Sequence, residues 1–351
     1  MMMKYIYRIV ISFLLLLGGN VLPICGQVLH NAPAPLYRDP VTDGAADPVV
    51  IWNQDKKSWW MFYTQRRANV NAADVAYCYG TRIGVAETTD HGQTWVYRGT
   101  LDLDFEPGHN TFWAPEVVLR DGEYHMFVSY IRGVRNHWGG DKHIEHYVSK
   151  NLWDWKHEGR LKLSSNSVID ADVYQLPNGL WRIWYKDEEA GSHTLMADSK
   201  NLKDWSASKV VIDGEGHEAP CVFRFRGYFW MLTDEWKGLR VYRSKDLNVW
   251  EKQGIILGEA CNRPDDSPNG AHADVVVIRN RAYVFYFTHP GRRNHNETPM
   301  DVNGVVPYEL RRSSIQVAPL TFKDGTLVCD HNSDFEFYLP DDQTEINGEN
   351  R

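Results

Sequence analysis

Short apolar runs recur in pairs along the chain, and a polar turn separates the two members of each pair. The first members are ADPVVIW (46–52), APEVVLR (114–120), DADVYQL (170–176), EAPCVFRF (218–225) and HADVVVI (272–278). The second members are WWMFYTQ (59–65), YHMFVSY (124–130), WRIWYKD (181–187), YFWMLTD (228–234) and AYVFYFT (282–288). Asp-Gly and Asn-Gly turns between such runs are typical of β-hairpins. Because most runs do not alternate with polar residues, they indicate strands buried on both faces.

A closing phrase follows four of these hairpins, as in VSKNLWDW (148–155) and DSKNLKDW (198–205). Its tryptophans stand at positions 95, 155, 205 and 250, which are 60, 50 and 45 residues apart. Repetition at this period, in units made of strands, predicts a propeller. A third strand precedes the phrase and an outer strand follows it; in the last unit these are 311–320 and 325–329. The sequence therefore predicts an all-β fold, a five-bladed β-propeller with four-stranded antiparallel blades and few helices.

The N-terminus has the pattern of a secretory signal peptide. Lys4 and Arg8 precede an apolar stretch from Ile9 to Leu17, which is too short for a membrane anchor. We expect a signal peptide at 1–26, a propeller domain at 27–340 and a flexible polar tail at 341–351, in a secreted or periplasmic protein. A lipid anchor at Cys25 is the alternative, which Ile24 before it disfavours. No other stretch resembles a membrane span.

Charge and composition narrow the classes of partner. The 351 residues include 38 basic and 46 acidic side chains, a net charge of −8 without a basic run, so nucleic acid is not an expected partner. The 14 tryptophans suit either sugar stacking or filling between blades, and their repeated positions favour filling. Export permits disulfides among Cys78, Cys221, Cys261 and Cys329, and the wide, irregular spacing of these cysteines argues against a zinc site.

Acidic side chains stand where the first strands of three units begin. Asp47, Asp170 and Glu218 open units one, three and four, and His272 opens unit five. A propeller draws these strands toward one axis, so the side chains should meet. An acid near a strand start can simply cap a turn, but recurrence at one structural position favours function. Neighbouring carboxylates have separated pKa values, which cleavage of a glycosidic bond requires.

Two neighbouring residues compete with this assignment. Asp172 lies two residues after Asp170 and is a second candidate for the acid of unit three, although it falls deeper in the strand. His217 directly precedes Glu218 and is a second candidate for the proton donor.

With these residues the chain resembles glycoside hydrolase family 43, which includes arabinanases, β-xylosidases and α-L-arabinofuranosidases. The resemblance rests on Asp47-Pro48, on Trp113-Ala-Pro-Glu116, on Ile169-Asp170-Ala171 and on Glu218-Ala219-Pro220, where the family has Glu-Gly-Pro. It implies an inverting mechanism with Asp47 as general base, Glu218 as general acid and Asp170 as the residue that modulates the pKa of the acid and orients it. The carboxyl groups of Asp47 and Glu218 should then stand roughly 6.5–9.5 Å apart.

The resemblance also suggests substrate contacts. Trp113, Glu116, His272 and Arg292 are the candidates, although Arg292 suits a solvated loop equally well, and Arg66 suits the surface. No cofactor is required, and no metal ligand is certain; the family's central calcium or water would lie near His272. The loops 68–80 and 261–271 could narrow the pocket, which would favour exo action.

The leading hypothesis is a secreted inverting glycoside hydrolase acting on oligosaccharides derived from plant-type or other polysaccharides, with exo action on arabinofuranosyl or xylosyl units. The alternatives are a non-catalytic propeller that binds glycans, a retaining fructan hydrolase and a glycoside phosphorylase. The fructan hydrolases have Asn-Asp-Pro where this chain has Ala46-Asp47-Pro48.

Overall fold

A computed structural model describes residues 30–341. The predicted signal peptide, Cys25 and nearly all of the predicted tail lie outside these residues. Within them, no helix is long and apolar enough to cross a membrane. Two single helical turns occur, Val75–Cys78 and Tyr308–Arg311, so the prediction of few helices is confirmed.

Five four-stranded antiparallel sheets form the blades, and each is built from consecutive strands in chain order. We call these strands inner, second, third and outer. The inner strands are Ala45–Asn53, Thr111–Arg120, Val168–Gln175, Glu218–Phe225 and Ala271–Ile278. The second strands are Ser58–Gln65, Glu123–Ile131, Trp181–Asp187, Tyr228–Asp234 and Arg281–Thr288. The third strands are Arg82–Thr88, His143–Ser149, His193–Ser199, Leu239–Ser244 and Ser314–Lys323. The outer strands are Val96–Thr100, Lys156–Arg160, Lys209–Ile212, Glu251–Ile256 and Thr326–Val328. The predicted fold class is confirmed.

One predicted boundary is wrong. The third strand of blade five begins at Ser314 rather than at residue 311, because the helical turn Tyr308–Arg311 precedes it. Pro307 stands directly before this turn with a φ of −55°, a value that suits entry into a helix.

The ring closes without exchanging a strand between its first and last blades. Glu336–Phe337 instead pairs with His30–Asn31, and the indole of Trp59 in blade one donates to the carbonyl of Pro340. Phe337 is 1% exposed within a core cluster shared by blades five and one. Apolar packing by the segment after blade five therefore joins the two ends of the propeller.

The closing tryptophans fill the spaces between blades, as predicted. Each of three packs edge-on against an aromatic residue in the second strand of the preceding blade: Trp155 against Phe62, Trp205 against Phe127 and Trp250 against Trp184. Trp95 is buried in the cluster shared by blades five and one. Edge-to-face aromatic pairs add about 0.5–1.5 kcal/mol to the burial of their surface.

Every inner strand carries a register shift near its start, between Ala46 and Val49 in blade one and at the matching place in the other four. One residue at each shift adopts a positive φ: Asp47 (52°), Ala114 (45°), Asp170 (57°), Ala219 (52°) and His272 (38°). We call these five the bulge residues. A β-bulge bends its strand and redirects a side chain, and strained non-glycine residues of this kind cluster at functional sites.

The packing of the closing tryptophans can be tested with two adjacent residues. Trp250→Ala should lower the free energy of unfolding by about 3 kcal/mol, because it empties the space beside Trp184. Val249→Ala is the control, since Val249 is 73% exposed and its truncation should cost less than about 0.5 kcal/mol. Chemical denaturation measures both. Equal effects of the two substitutions would contradict the filling role.

Candidate active site

The predicted residues of the inner strands line one cavity of about 390 Å³. Asp47, Asp170, Glu218 and His272 all lie on its wall, and so does Trp113. Asp47, Asp170 and His272 are bulge residues, whereas Glu218 directly precedes one. The structure thus brings together side chains that the sequence scatters over more than two hundred positions.

The carboxylate of Asp47 is held between two nitrogen-bearing side chains. Its Oδ1 lies 3.3 Å from Nη2 of Arg66 and 3.6 Å from Nδ1 of His272. The Arg66 guanidinium stacks over the ring of Phe287, 4.7 Å from its centroid. Burial opposes the charge of Arg66, but the neighbouring Asp47 raises the pKa of that guanidinium. Asp47 therefore lies on the cavity wall with its carboxylate beside the Arg66 guanidinium.

Glu218 forms an ion pair with Lys186, with 3.0 Å between Oε2 and Nζ. The same ammonium lies 3.5 Å from Oε1 of Glu188, which in turn pairs with Lys142. Burial alone would raise the pKa of Glu218, but the attraction and hydrogen bond of Lys186 lower that pKa to about 2. In the cavity without substrate, Glu218 is therefore a carboxylate.

Asp170 has the opposite protonation preference. Burial, with the charge of Glu218 nearby, raises the pKa of Asp170 to about 7, although His272 opposes the shift. Its Oδ2 accepts a hydrogen bond from the backbone N–H of Ala219, at 3.3 Å, so it is fixed beside Glu218. Asp172 is 2% exposed and does not line the cavity. Asp170 therefore occupies the position that the sequence analysis favoured.

Bulge residues need acceptors for their N–H groups, and neighbouring blades supply them. Thr64 accepts from Ala114 at 2.8 Å and Ser129 accepts from Asp170 at 3.0 Å. In the same way Asp234 accepts from His272 at 3.2 Å. Within their own hairpins, these acceptors pair with residues 46, 113 and 218. Each of those three residues directly precedes the bulge residue of its blade. Each acceptor therefore stands at the same position in the second strand of the preceding blade.

Blade three departs from this pattern. Lys186 occupies the acceptor position there, opposite Ile169, and an ammonium cannot accept a hydrogen bond. The N–H of Ala219 therefore turns to Asp170, while Lys186 reaches Glu218. A single substitution in the repeat thus places both Asp170 and Glu218.

Glu116 does not line the cavity, which corrects its prediction as a substrate contact. It follows the bulge of blade two and is 4% exposed. Its Oε1 accepts the N–H of Val173 in blade three at 3.2 Å. Asp274 accepts the N–H of Val50 in blade one at 2.7 Å from the corresponding position. Both acids join adjacent blades below the cavity.

Arg292 lies on the cavity wall, but its donors are used within the protein. Nε binds the carbonyl of Leu310, Nη1 binds that of His295 and Nη2 binds the hydroxyl of Tyr77, at 2.7, 2.6 and 2.9 Å. It is 7% exposed, so neither a solvated loop nor a free substrate contact describes it. Arg292 instead fixes the loops around the cavity.

The predicted loop 68–80 contributes Val75, Tyr77 and Cys78 to the wall, whereas 261–271 contributes no lining residue. His217 lies outside the lining, with its Nε2 2.8 Å from Oγ1 of Thr194. Several lining residues were not predicted from the sequence as parts of the site. They are Arg66, Trp138, Lys142, Lys186, Glu188, Trp236, His289 and His295. One sequence feature could have indicated such a residue: Lys186 stands near the end of the otherwise apolar strand WRIWYKD.

The predicted calcium would lie near His272, whose ring contacts one carboxylate, that of Asp47. Calcium binds six to eight oxygen ligands, and the His272 ring faces the Asp47 carboxylate. Within residues 30–341, one group of three metal-ligating side chains has its ligand atoms close together, and it contains none of the cavity acids. The central calcium stays a prediction, and no step below involves it.

Comparisons with known proteins place this site in a family context. A family model, "Glycosyl hydrolases family 32 N-terminal domain", matches residues 114–267, which span blades two to four. In this match the chain is similar to a glycosyl hydrolase domain over less than half of its length. The predicted resemblance to family 43 is confirmed for the fold, and family 32 is added to it. A search of curated proteins found no match.

Solved structures of family 43 propellers share this fold at low sequence identity. A thermostable family-43 glycoside hydrolase is 18% identical over 85% of this chain and 97% of its own, with a TM-score of 0.62. A β-xylosidase/α-arabinofuranosidase from a compost microbial metagenome, crystallised with xylotriose, is 15% identical over 86% and 98%, with a TM-score of 0.62. A family 43 β-1,3-galactosidase is 12% identical over 88% and 98%, with a TM-score of 0.60.

The burial of Asp170 predicts a pH-dependent stability penalty for the folded protein. Its pKa rises from 3.8 to about 7 on folding, so the folded state binds more protons than the unfolded state between these values. Its contribution to stability therefore falls as pH rises from about 4 to about 7. Asp170→Asn removes the penalty. The variant should gain stability relative to the wild type across this window, by up to about 4 kcal/mol.

Thermal unfolding at pH 4 and pH 8 measures this gain. Asp121→Asn is the control, because Asp121 lies in an exposed turn with a side chain that is 88% exposed. A stability difference between Asp170→Asn and wild type that does not change with pH would contradict the raised pKa.

Proposed function

We propose that this protein is an inverting glycoside hydrolase that removes neutral arabinofuranosyl or xylosyl units from the ends of oligosaccharides. The observation that carries the proposal is the convergence of Asp47, Asp170 and Glu218 on one cavity. Asp47 would take a proton from water, and that water would attack the anomeric carbon. Glu218 would protonate the departing oxygen, and Asp170 would hold Glu218 in place through its bond to the N–H of Ala219.

The proton needed for this reaction resides elsewhere in the free site. Glu218 is ionised beside Lys186, whereas Asp170 retains a proton to higher pH. Two coupled carboxyl groups titrate as a pair. A bound sugar would displace water and make the charge on Glu218 less favourable. The shared proton would then move to Glu218, where the leaving group needs it.

The charge balance of the cavity supports a neutral sugar. Four acids line it, Asp47, Asp170, Glu188 and Glu218, and four cations line it, Arg66, Lys142, Lys186 and Arg292. Arg66, Lys142 and Lys186 each pair with a lining carboxylate, and the donors of Arg292 bind protein oxygens. Three of the four cations are thus already paired with a lining carboxylate, which favours a sugar without a carboxylate.

Exo action is supported by the loops that surround the cavity. The segment Val75–Cys78, the residues Trp138 and Trp236, and the segment around His295 all contribute to the wall. An enclosed pocket receives one chain end, whereas an open cleft admits the middle of a chain. Digestion of linear arabino- and xylo-oligosaccharides should release monosaccharides from the outset. Larger fragments as the first products would contradict exo action.

The match to a second glycosyl hydrolase family keeps a retaining mechanism as the alternative, with Asp47 as nucleophile. It does not cover blade one, where Asp47 lies. The configuration of the first product decides between the mechanisms, and NMR of early hydrolysis should show inversion. A non-catalytic glycan-binding propeller and a phosphorylase stay open: binding without turnover would indicate the former, and dependence on phosphate the latter.

Substrates with different leaving groups can distinguish the role of Glu218 from that of Asp47. Glu218→Gln should lower kcat/KM by about 10³-fold on xylobiose or arabinobiose, but much less on 4-nitrophenyl glycosides, whose leaving group needs no proton. Asp47→Asn should lose activity equally on both, because water activation is common to them. Glu215→Gln is the control, since the Glu215 side chain is 71% exposed.

These rates are measured on 4-nitrophenyl α-L-arabinofuranoside, 4-nitrophenyl β-D-xyloside and the matching disaccharides, with 4-nitrophenyl β-D-glucuronide as the anionic comparison. Full activity of either variant on the disaccharide would defeat the assignment. Turnover of the glucuronide alone would defeat the neutral-sugar proposal.

Lys186 should set the pH range of activity. Removing its ammonium raises the pKa of Glu218, so the acid stays protonated to higher pH. In Lys186→Met the basic limb of kcat/KM against pH should therefore move upward by about one unit or more, whereas Lys186→Arg should keep the wild-type limb. Lys203→Met is the control for loss of a surface lysine. An unmoved limb in Lys186→Met, with correct folding, would show that Lys186 does not act on the general acid.

A further inference from the structure

We infer that Cys261, Asp266 and His331 form a binding site for a zinc-type divalent metal ion at the two ends of blade five. One ligand atom from each residue lies within 4.8 Å of the others. None of the three lines the catalytic cavity, so this site is separate from the proposed hydrolase chemistry.

The donor set suits zinc. Thiolate sulfur, imidazole nitrogen and carboxylate oxygen are the three ligand types that Zn²⁺ uses in proteins, usually four at a time in tetrahedral geometry. Hard cations such as calcium and magnesium prefer oxygen alone. Cys329 lies two residues before His331 in the chain, which makes its thiol a candidate for the fourth ligand.

The site is largely protected from water. The side chain of Asp266 is 1% exposed and that of His331 is 7% exposed. Oδ2 of Asp266 lies 3.3 Å from Nδ1 of His331. Asp266 and His331 are thus buried in contact with each other, next to a partly buried thiol.

Residues around the proposed ligands hold the Asp266 carboxylate, as neighbours of metal ligands commonly do. The hydroxyl of Tyr286 donates to Oδ2 of Asp266 at 2.8 Å. The Arg263 guanidinium lies 3.6 Å from the same oxygen and is itself fixed by the carbonyls of Val317 and Pro33, at 2.8 and 3.1 Å. Tyr286 and Arg263 therefore hold the Asp266 carboxylate in place beside His331.

The two segments that carry the ligands are already joined. The N–H of Cys261 binds the carbonyl of Asp266 at 3.1 Å, which closes the turn before blade five. The N–H of Asn262 binds Oδ1 of Asn332 at 3.1 Å, which joins this turn to the segment after the blade. A metal ion would thus fasten the start of blade five to its end, beside the place where the ring closes.

Spacing along the chain hides this site. The sequence gives Cys-x4-Asp, a gap of sixty-two residues, and then Cys-x-His. The gap is one complete propeller blade, whose antiparallel strands return the chain to its starting edge. The irregular spacing that argues against zinc therefore reflects an inserted blade and leaves the three-dimensional ligand set intact.

The experiment measures zinc in the reduced, metal-free protein after addition of Zn²⁺ and removal of excess. We expect one zinc ion per chain, and a rise in Tm of at least about 3 °C on binding. Co²⁺ should give the charge-transfer absorption of a cobalt–thiolate bond. Cys261→Ser and Asp266→Asn, which are near-isosteric, should each abolish that absorption and lower zinc affinity at least tenfold. Cys221→Ala is the control, because Cys221 is buried in an inner strand away from the cluster.

Three results would overturn the proposal. The first is no retained zinc in the reduced wild type. The second is zinc retention that is equal in wild type and in Cys261→Ser, which would place the metal elsewhere. The third is a Cys261–Cys329 disulfide whose reduction yields a protein with two free thiols and no affinity for Zn²⁺. Because the readouts are metal content, absorption and Tm, failure here leaves the proposed hydrolase untouched, and loss of hydrolysis leaves the metal site untouched.

Discussion

The bulge in each inner strand is the constraint on which the rest of this molecule depends. It takes one residue per blade out of the regular ladder and into a left-handed conformation, which is strained for any residue with a side chain. The same irregularity leaves a backbone N–H without its usual partner, and a buried N–H must find an acceptor. Thr64, Ser129 and Asp234 provide it from the preceding blade. At three of the five bulges the preceding blade therefore fixes the conformation, and the bulges together shape the cavity.

The chemistry lies where this repeated arrangement is broken. An acceptor at position 186 would leave Asp170 free of Ala219 and would leave Glu218 without its cation. Lysine at that position does the reverse, because it binds Glu218 and obliges Asp170 to accept the N–H of Ala219. Two neighbouring carboxyl groups thereby acquire opposite protonation preferences. Separated pKa values of this kind are how one site supplies both a proton and a carboxylate.

The sequence predicted the blades closely because their signals are local. Apolar runs and turns set the hairpins, and the inner strand of blade four begins and ends where the pattern EAPCVFRF does. Asp47, Asp170 and Glu218 were accessible for a related reason, since the fold predicts that inner strands meet. Arg66 and Lys186 were not, because they lie on second strands and their partners come from distant positions. The prediction that Glu116 lines the cavity was wrong because the bulge changes which residues of its strand face the cavity. The sequence pattern gives no sign of that change.

Burying these groups costs stability that other parts of the ring must supply. Asp170 is held where its charge is unfavourable, and Asp234 has a pKa raised by burial and by Glu218. An isolated hairpin could not retain such residues, because opening by a few degrees would let water reach the carboxylates. In a closed ring that movement would also separate aromatic contacts such as Trp205 on Phe127 and the packing of Phe337 between the first and last blades. Trp205, Phe127 and Phe337 therefore help to keep the cavity closed to further water, although none of them lines it. Ring closure is what allows a strained, charged and largely buried site to persist.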